Sequence, residues 1–279
     1  SPASGRGLTP VTASGGAPSA AACCTPPMQS AASSAHAAAA MRGGTADDTA
    51  PLYGRTRRTA VSGARAGTAA ILRGMAIIDS SELPGRRAYR LLVDCVVPRP
   101  IAWISTADEA GVVNLAPFSF FQAAGAEPPI VTVSIGRHRD GAFKDTGVNL
   151  FRSGECVVNV VTDELAERMN ETAGAYAFGV DEMRRAGLTP APCRHVAPPR
   201  VAESPVALEC RLHQQVPLGA GENQYVLALL EVLAFHVRDD LYDDGRIDPR
   251  RLHPLGRLGG SAYSHPGEVF EMERPPDER

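Results

Sequence analysis

The residues best suited to chemistry in this 279-residue chain fall in one stretch, Pro98 to Asp145, and just beyond it. Arg137, His138, Arg139 and Lys144 lie within eight positions of one another, and Asp145 and Thr146 follow directly. Guanidinium, ammonium and hydroxyl donors at this density suit a phosphate, which Arg can hold in bidentate fashion. A helix beginning at Lys144 would add unpaired N–H groups for the same anion. Asp145 is expected to order the loop or a neighbouring base rather than touch phosphate. Upstream, Ser105 and Thr106 end one apolar run, and Asn114, Leu115, Ala116, Pro117, Phe118 and Ser119 form a second block. Hydroxyls, an amide, a small residue and an aromatic suit the edge and face of a flat heteroaromatic ring, whose donors and acceptors need matched partners. The pattern predicts a ligand with a flat ring and an anionic tail.

Three further positions join these candidates. Ser134 closes the next apolar run beside the basic loop. Arg99, held between two prolines in a stiff extended segment, either pairs with the phosphate or caps the barrel. Arg257 lies in the run RLGGSAY. It reaches the pocket, with Gly259 and Gly260 allowing close approach and Tyr263 covering it, or it latches the C-terminal segment at a subunit contact. Trp103, the only Trp, is expected in the barrel core. Glu209 and Cys210 are expected on opposite faces of one strand, Cys210 as inert core. His213, His236 and His253 read as structural or exposed, and no metal ligands are predicted, because no metal-ligand spacing occurs. The triplet His138-Arg139-Asp140 echoes a kinase catalytic loop, but no other kinase feature accompanies it. There is no P-loop, and Gly219-Ala220-Gly221 reads as a turn rather than a dinucleotide fingerprint.

The elements that position these residues read as follows. A short helix over 85–95 leads to strands at Ile101–Thr106, Val112–Leu115 and Ile130–Ile135. Lys144–Phe151 forms one or two helical turns. Glu155–Val161 is a buried strand rich in β-branched residues. Thr162 should cap a helix over Asp163–Thr172, and Asp181 a short helix ending near Gly187. Five prolines between 190 and 205 mark an irregular crossing. Ala207–Val216 and Tyr225–Val237 should form a hairpin-like pair, Asp239–Gly245 a polar turn, Ile247–Leu252 a helical turn, and Glu268–Met272 a short strand. Strands without regular βαβ alternation favour a β-barrel over a doubly wound sheet.

Composition narrows the function classes. Net charge is -3, but residues 1–74 hold seven Arg against two acids, so the remainder is acidic, with 21 basic and 29 acidic residues. An acidic body argues against nonspecific nucleic-acid binding. No apolar run approaches the ~18 residues of a membrane span. The six cysteines, Cys23, Cys24, Cys95, Cys156, Cys193 and Cys210, are irregularly spaced without CxxC, so no disulfide framework is expected. Residues 1–74 are rich in Ala, Ser, Gly, Thr and Pro with a single aromatic, Tyr53, and are expected to be a disordered low-complexity extension. They read as an over-extended start upstream of Met75, with a cytoplasmic protein, or as an organelle transit peptide.

The runs PRPIAWIST, GVVNLAPFSFF, PPIVTVSIGR, KDT, GLTPAP, PPRVAESPVALEC and RLGGSAY, in this order, resemble the flavin reductase-like family with the FMN-binding split barrel. Flavoredoxin-type proteins and the reductase component of nitrilotriacetate monooxygenase are the nearest likeness, over about residues 75–274. The resemblance implies one 75–279 domain, mainly β with a few helices, folded as a Greek-key barrel of about six strands. It implies a homodimer binding FMN near the subunit interface and reducing flavin with NADH or NADPH. The reduced flavin would pass to a partner monooxygenase. In the alternative it stays bound in an electron-transfer protein that a protein partner reduces. The cofactor-binding residues that the resemblance implies are Arg99, Ser105, Thr106, Asn114 to Ser119, Ser134, Arg137, Lys144, Thr146 and Arg257. No catalytic side chain is required, because hydride transfer is carried by the flavin.

Overall fold

The computed structural model of the protein describes residues 74, 76–138, 140–219 and 224–276. The expectation for residues 1–73, and Arg139, lie outside the described residues. The expected helix α1 spans Gly85–Cys95. A dipeptide strand β1 (Arg99–Pro100) precedes β2 (Ala102–Ala107), β3 (Val113–Phe118), β4 (Phe121–Ala126) and β5 (Pro129–Gly136). Helix α2 (Asp145–Ser153) is closed by Gly154, whose φ of 74° permits the left-handed cap and whose N–H reaches the Leu150 carbonyl. Then come β6 (Glu155–Val160), α3 (Ala166–Glu171), α4 (Glu182–Arg185), β7 (Pro190–Ala191), β8 (Arg200–Val201), β9 (Val206–Leu218) and β10 (Tyr225–Val237). The chain ends with β11 (Tyr242–Asp243), β12 (Arg246–Ile247), α5 (Pro249–Leu252), β13 (Gly256–Arg257) and β14 (Tyr263–Ser264).

Seven strands form one antiparallel sheet in the order β3-β2-β6-β9-β10-β5-β4. Period-two alternation divides its side chains between two cores. Ala102, Ile104, Val133, Val158, Cys210 and Leu230 belong to the inner cluster, which Leu150 of α2 completes. Trp103, Leu115, Met169 and Met183 belong to a second cluster between the outer face and the α3–α4 segment. Strand β2 is therefore buried on both faces, which explains its unbroken apolar run AWI.

Several expectations need correction. Phe121–Ala126, not expected as a strand, pairs with β5 and makes the sheet seven-stranded. This strand is an exposed edge, and its small residues, with a register shift between Ala123 and Gly125, carry little β propensity. Trp103 is fully buried, but in the outer cluster rather than the inner one; its indole N–H donates to Thr172 Oγ1 at 2.8 Å. Thr162 does not cap with its side chain: a 3₁₀ turn at Asp163–Leu165 intervenes before α3, and the Asp163 N–H donates to the His253 carbonyl. Glu268–Met272 forms no strand; Phe270 and Met272 are exposed. Asp181 does cap α4, accepting from the Arg184 N–H at 2.9 Å, and Cys210 is fully buried.

Candidate functional site

One cavity of about 210 Å³ gathers the polar wall of β3 and the start of α2. Asn114, Ala116, Pro117 and Phe118 line one side, and His138, Lys144, Asp145 and Thr146 another. The loop Thr172–Tyr176 and Glu182 close it. The sheet register explains the polar wall. Thr106 and Asn114 are direct partners on β2 and β3, with Thr106 fully buried. The Asn114 amide donates to Thr106 Oγ1 at 3.3 Å and to Thr146 Oγ1 at 2.8 Å. Asn149 Nδ2 donates to the same Thr106 hydroxyl at 3.2 Å. Both N–H directions of Asn114 are thereby occupied, and no donor among the described residues meets its Oδ1. The β3 wall and α2 are thus locked together by side-chain hydrogen bonds.

Lys144 occupies the cap position of α2, and no side chain caps that helix. The first intrahelical bond runs from the Val148 N–H to the Lys144 carbonyl, so the preceding N–H groups have no helical acceptor. Lys144 makes no ion pair among the described residues; its Nζ lies 5.7 Å from the centre of the Phe118 ring. Although the residue keeps exposed surface, the protein around its ammonium removes enough water to lower its pKa. Glu182 sits across the cavity, 6 % exposed, and accepts the Leu115 N–H at 3.0 Å. Burial raises its pKa, the Leu115 N–H opposes that, and the charges of Asp145 and Asp181 add to it.

The other candidates are directed elsewhere. Arg99 is buried, and its guanidinium donates to the carbonyls of Val93, Val96 and Leu258 at 2.5, 2.6 and 2.8 Å. It ties the end of α1 to the RLGG segment, so it caps the fold rather than meeting this cavity. Ser105 faces outward and donates to the Pro199 carbonyl at 2.6 Å. The Leu115 side chain lies in the outer cluster, and its N–H is taken by Glu182. Ser119 and Ser134 do not line the cavity. Arg137 donates to Gln224 Oε1 and the Gly141 carbonyl and stacks 3.7 Å over Phe143. These contacts keep Arg137 out of the cavity. Arg257 pairs with Arg99 across β1 and β13, donates to the Gly260 carbonyl, and lies 4.3 Å over Tyr263. The close approach made by Gly259 is to Asp94 on α1: a Cβ there would stand 1.6 Å from Asp94 Oδ1. Two wall elements, the Thr172–Tyr176 loop and Glu182, carried no signal in the sequence beyond Asp181 as a cap. They are brought in by tertiary packing alone.

The model of the flavin reductase like domain matches residues 94–255. The chain belongs to the flavin reductase-like family. Its relatives include an uncharacterised protein of Halalkalibacterium halodurans, 40 % identical over 200 residues, which span 71 % of this chain and 96 % of the relative. Among solved structures, nitrilotriacetate monooxygenase component B from Bacillus cereus is similar with a TM-score of 0.69 and 35 % identity, over 71 % of this chain and 99 % of that one. The 2-nitrobenzoate 2-nitroreductase of Pseudomonas fluorescens follows with a TM-score of 0.65 and 28 % identity, over 72 % and 96 %. Flavoredoxin of Desulfovibrio vulgaris, at 22 % identity and a TM-score of 0.55 over 63 % and 91 %, shares the fold. The split-barrel expectation thus holds for this family member. Among the described residues no helix is long and apolar enough to cross a membrane.

Proposed function

We propose that the protein is a flavin reductase that binds FMN in the Asn114–Lys144 cavity, reduces it with NADH or NADPH, and delivers reduced flavin to a separate monooxygenase. The observation that carries this reading is the joining of a cation unpaired among the described residues, an uncapped helix start and an amide-bearing wall in one cavity of a flavin reductase-like chain. The similarity to a monooxygenase component supports the choice of acceptor.

When bound, FMN supplies the hydride chemistry. The chain holds and orients it. Lys144, the first N–H groups of α2 and the Thr146 hydroxyl receive the phosphate. Asn114, fixed by Thr106 and Thr146, turns Oδ1 toward a ring N–H or a ribityl hydroxyl. Ala116 and Pro117 offer a low wall against which a ring can lie. The cavity's 210 Å³ is below the ~300–1,000 Å³ of complete small-molecule sites, so a second copy would cover the remainder. The exposed apolar Leu91, Leu92 and Val96 on and beside α1 support a homodimer. The reading places the protein in the cytoplasm, where nicotinamide nucleotides are available.

The test is to load the purified protein with FMN and add NADH or NADPH anaerobically while following flavin absorbance. Bleaching faster than with free FMN supports the reductase and identifies the preferred nicotinamide. Flavin that binds but stays yellow with both would refute it in favour of an electron carrier reduced by a protein partner. A chain that binds no flavin would remove both readings.

A further inference from the structure

On the outer face of the sheet, away from the residues lining the flavin cavity, Cys193, Glu209 and His236 bring a sulfur, a carboxylate oxygen and an imidazole nitrogen within 4.8 Å of one another. The register explains the meeting. Glu209 of β9 pairs with Ala234 of β10, and His236 pairs with Ala207, so the two side chains are diagonal neighbours on one face. Cys193 enters from the proline-rich crossing that covers this face, where it packs with Val157, Val196 and Ala207.

We infer that these three side chains form a binding site for a borderline divalent transition cation of the zinc(II) class. Glu209 is fully buried, a position a carboxylate takes only when its charge is compensated. It accepts the N–H groups of Arg194 at 2.8 Å and His195 at 2.5 Å, and its Oε1 lies 2.5 Å from His236 Nε2. The two backbone donors hold the carboxylate as outer partners hold a metal ligand. Sulfur, nitrogen and oxygen in one set select zinc(II), cobalt(II) or a similar ion over magnesium or calcium. Three protein donors leave one position open, the pattern of exchangeable rather than purely structural sites. Of the three ligands, His236 also lines a groove of about 460 Å³ bordered by Arg200, Phe235 and Arg238. The His236 side chain is 31 % exposed, which provides the entry path. On binding, the Cys193 thiol gives its proton to solvent and its sulfur to the cation, and the proton between His236 Nε2 and Glu209 Oε1 leaves to solvent or moves to Nδ1, so that the cation replaces that hydrogen bond.

The full-length protein, stripped with a chelator and kept reduced, should be titrated with cobalt(II) chloride. One cobalt(II) per chain is expected, with a thiolate-to-cobalt charge-transfer absorption that zinc(II) displaces. Cys193→Ser should abolish that absorption. His236→Gln, which keeps a hydrogen-bonding group on a partly exposed side chain, should weaken affinity by about tenfold or more while the fold, followed by circular dichroism, is retained. A Cys23→Ser/Cys24→Ser variant should keep the absorption. Absence of the absorption from the wild-type protein would overturn the inference. So would its survival in Cys193→Ser, its loss in Cys23→Ser/Cys24→Ser, or an unchanged affinity in folded His236→Gln. Flavin binding is not part of this readout, so the inference stands or falls independently of the proposed reductase.

Discussion

Replacing Lys144 with Ala removes the one cationic side chain that lines the cavity without an ion-pair partner among the described residues. A hydrogen bond to a charged group contributes about 1.5–3 kcal/mol, which is about 10- to 150-fold in Kd. Lys144 keeps solvent-exposed surface, so water and salt screen its charge and the lower half of that range is expected. The Ala variant should therefore bind FMN on the order of tenfold more weakly, as followed by quenching of flavin fluorescence at low ionic strength. Riboflavin, which lacks the phosphate, should bind both proteins alike. Lys144→Arg should recover part of the loss, because the charge remains while the reach and fork change. An FMN affinity within about twofold of wild type would refute the assignment of phosphate to Lys144. Equal weakening of FMN and riboflavin would place Lys144 at the ring or in the scaffold instead.

Asn114→Ala deletes two buried hydrogen bonds and should lower stability by roughly 1–3 kcal/mol in urea unfolding, with weaker binding of FMN and riboflavin alike. Trp103→Phe breaks the bond to Thr172 and opens space in the outer cluster. A loss of about 1–3 kcal/mol is expected by chemical denaturation, and wild-type Trp emission should shift to longer wavelength on unfolding. Gly259→Ala drives a Cβ against Asp94 and should cost about 1 kcal/mol or more, with most of the loss suppressed in the Asp94→Ala background. Glu182 has a raised folded-state pKa, so the stabilising form is the protonated one. Its contribution is complete below the unfolded carboxylate pKa and is lost as pH rises through the folded value. The stability of Glu182→Gln relative to wild type should therefore rise with pH above about 4.5, measured as Tm across a pH series.

Local pattern carried much of this protein. The β-branched run Glu155–Val160, the paired runs of β9 and β10, and the Asp181 cap fold as their residue types require. The edge strand Phe121–Ala126 did not declare itself, because it is stabilised by pairing with β5 rather than by residue preference. At the cavity the same division holds. Asn114, Phe118, Lys144 and Thr146 were legible as donors and wall residues because they sit on a strand and at a helix start within one short stretch. The fate of the arginines was not legible. A guanidinium has many donors and a long reach, so carbonyls close in space decide where it points. Arg99 found those of Val93, Val96 and Leu258, the last brought near by the return of the chain 159 residues later. A separate closure, over 67 residues, places Glu182 across from Leu115, and the β9–β10 pairing with the crossing before it brings Cys193, Glu209 and His236 to one face. Residue types and short spacings determine which groups can do chemistry; only the assembled sheet and its covering segments decide which of them meet, because those contacts join positions that are not neighbours in the chain.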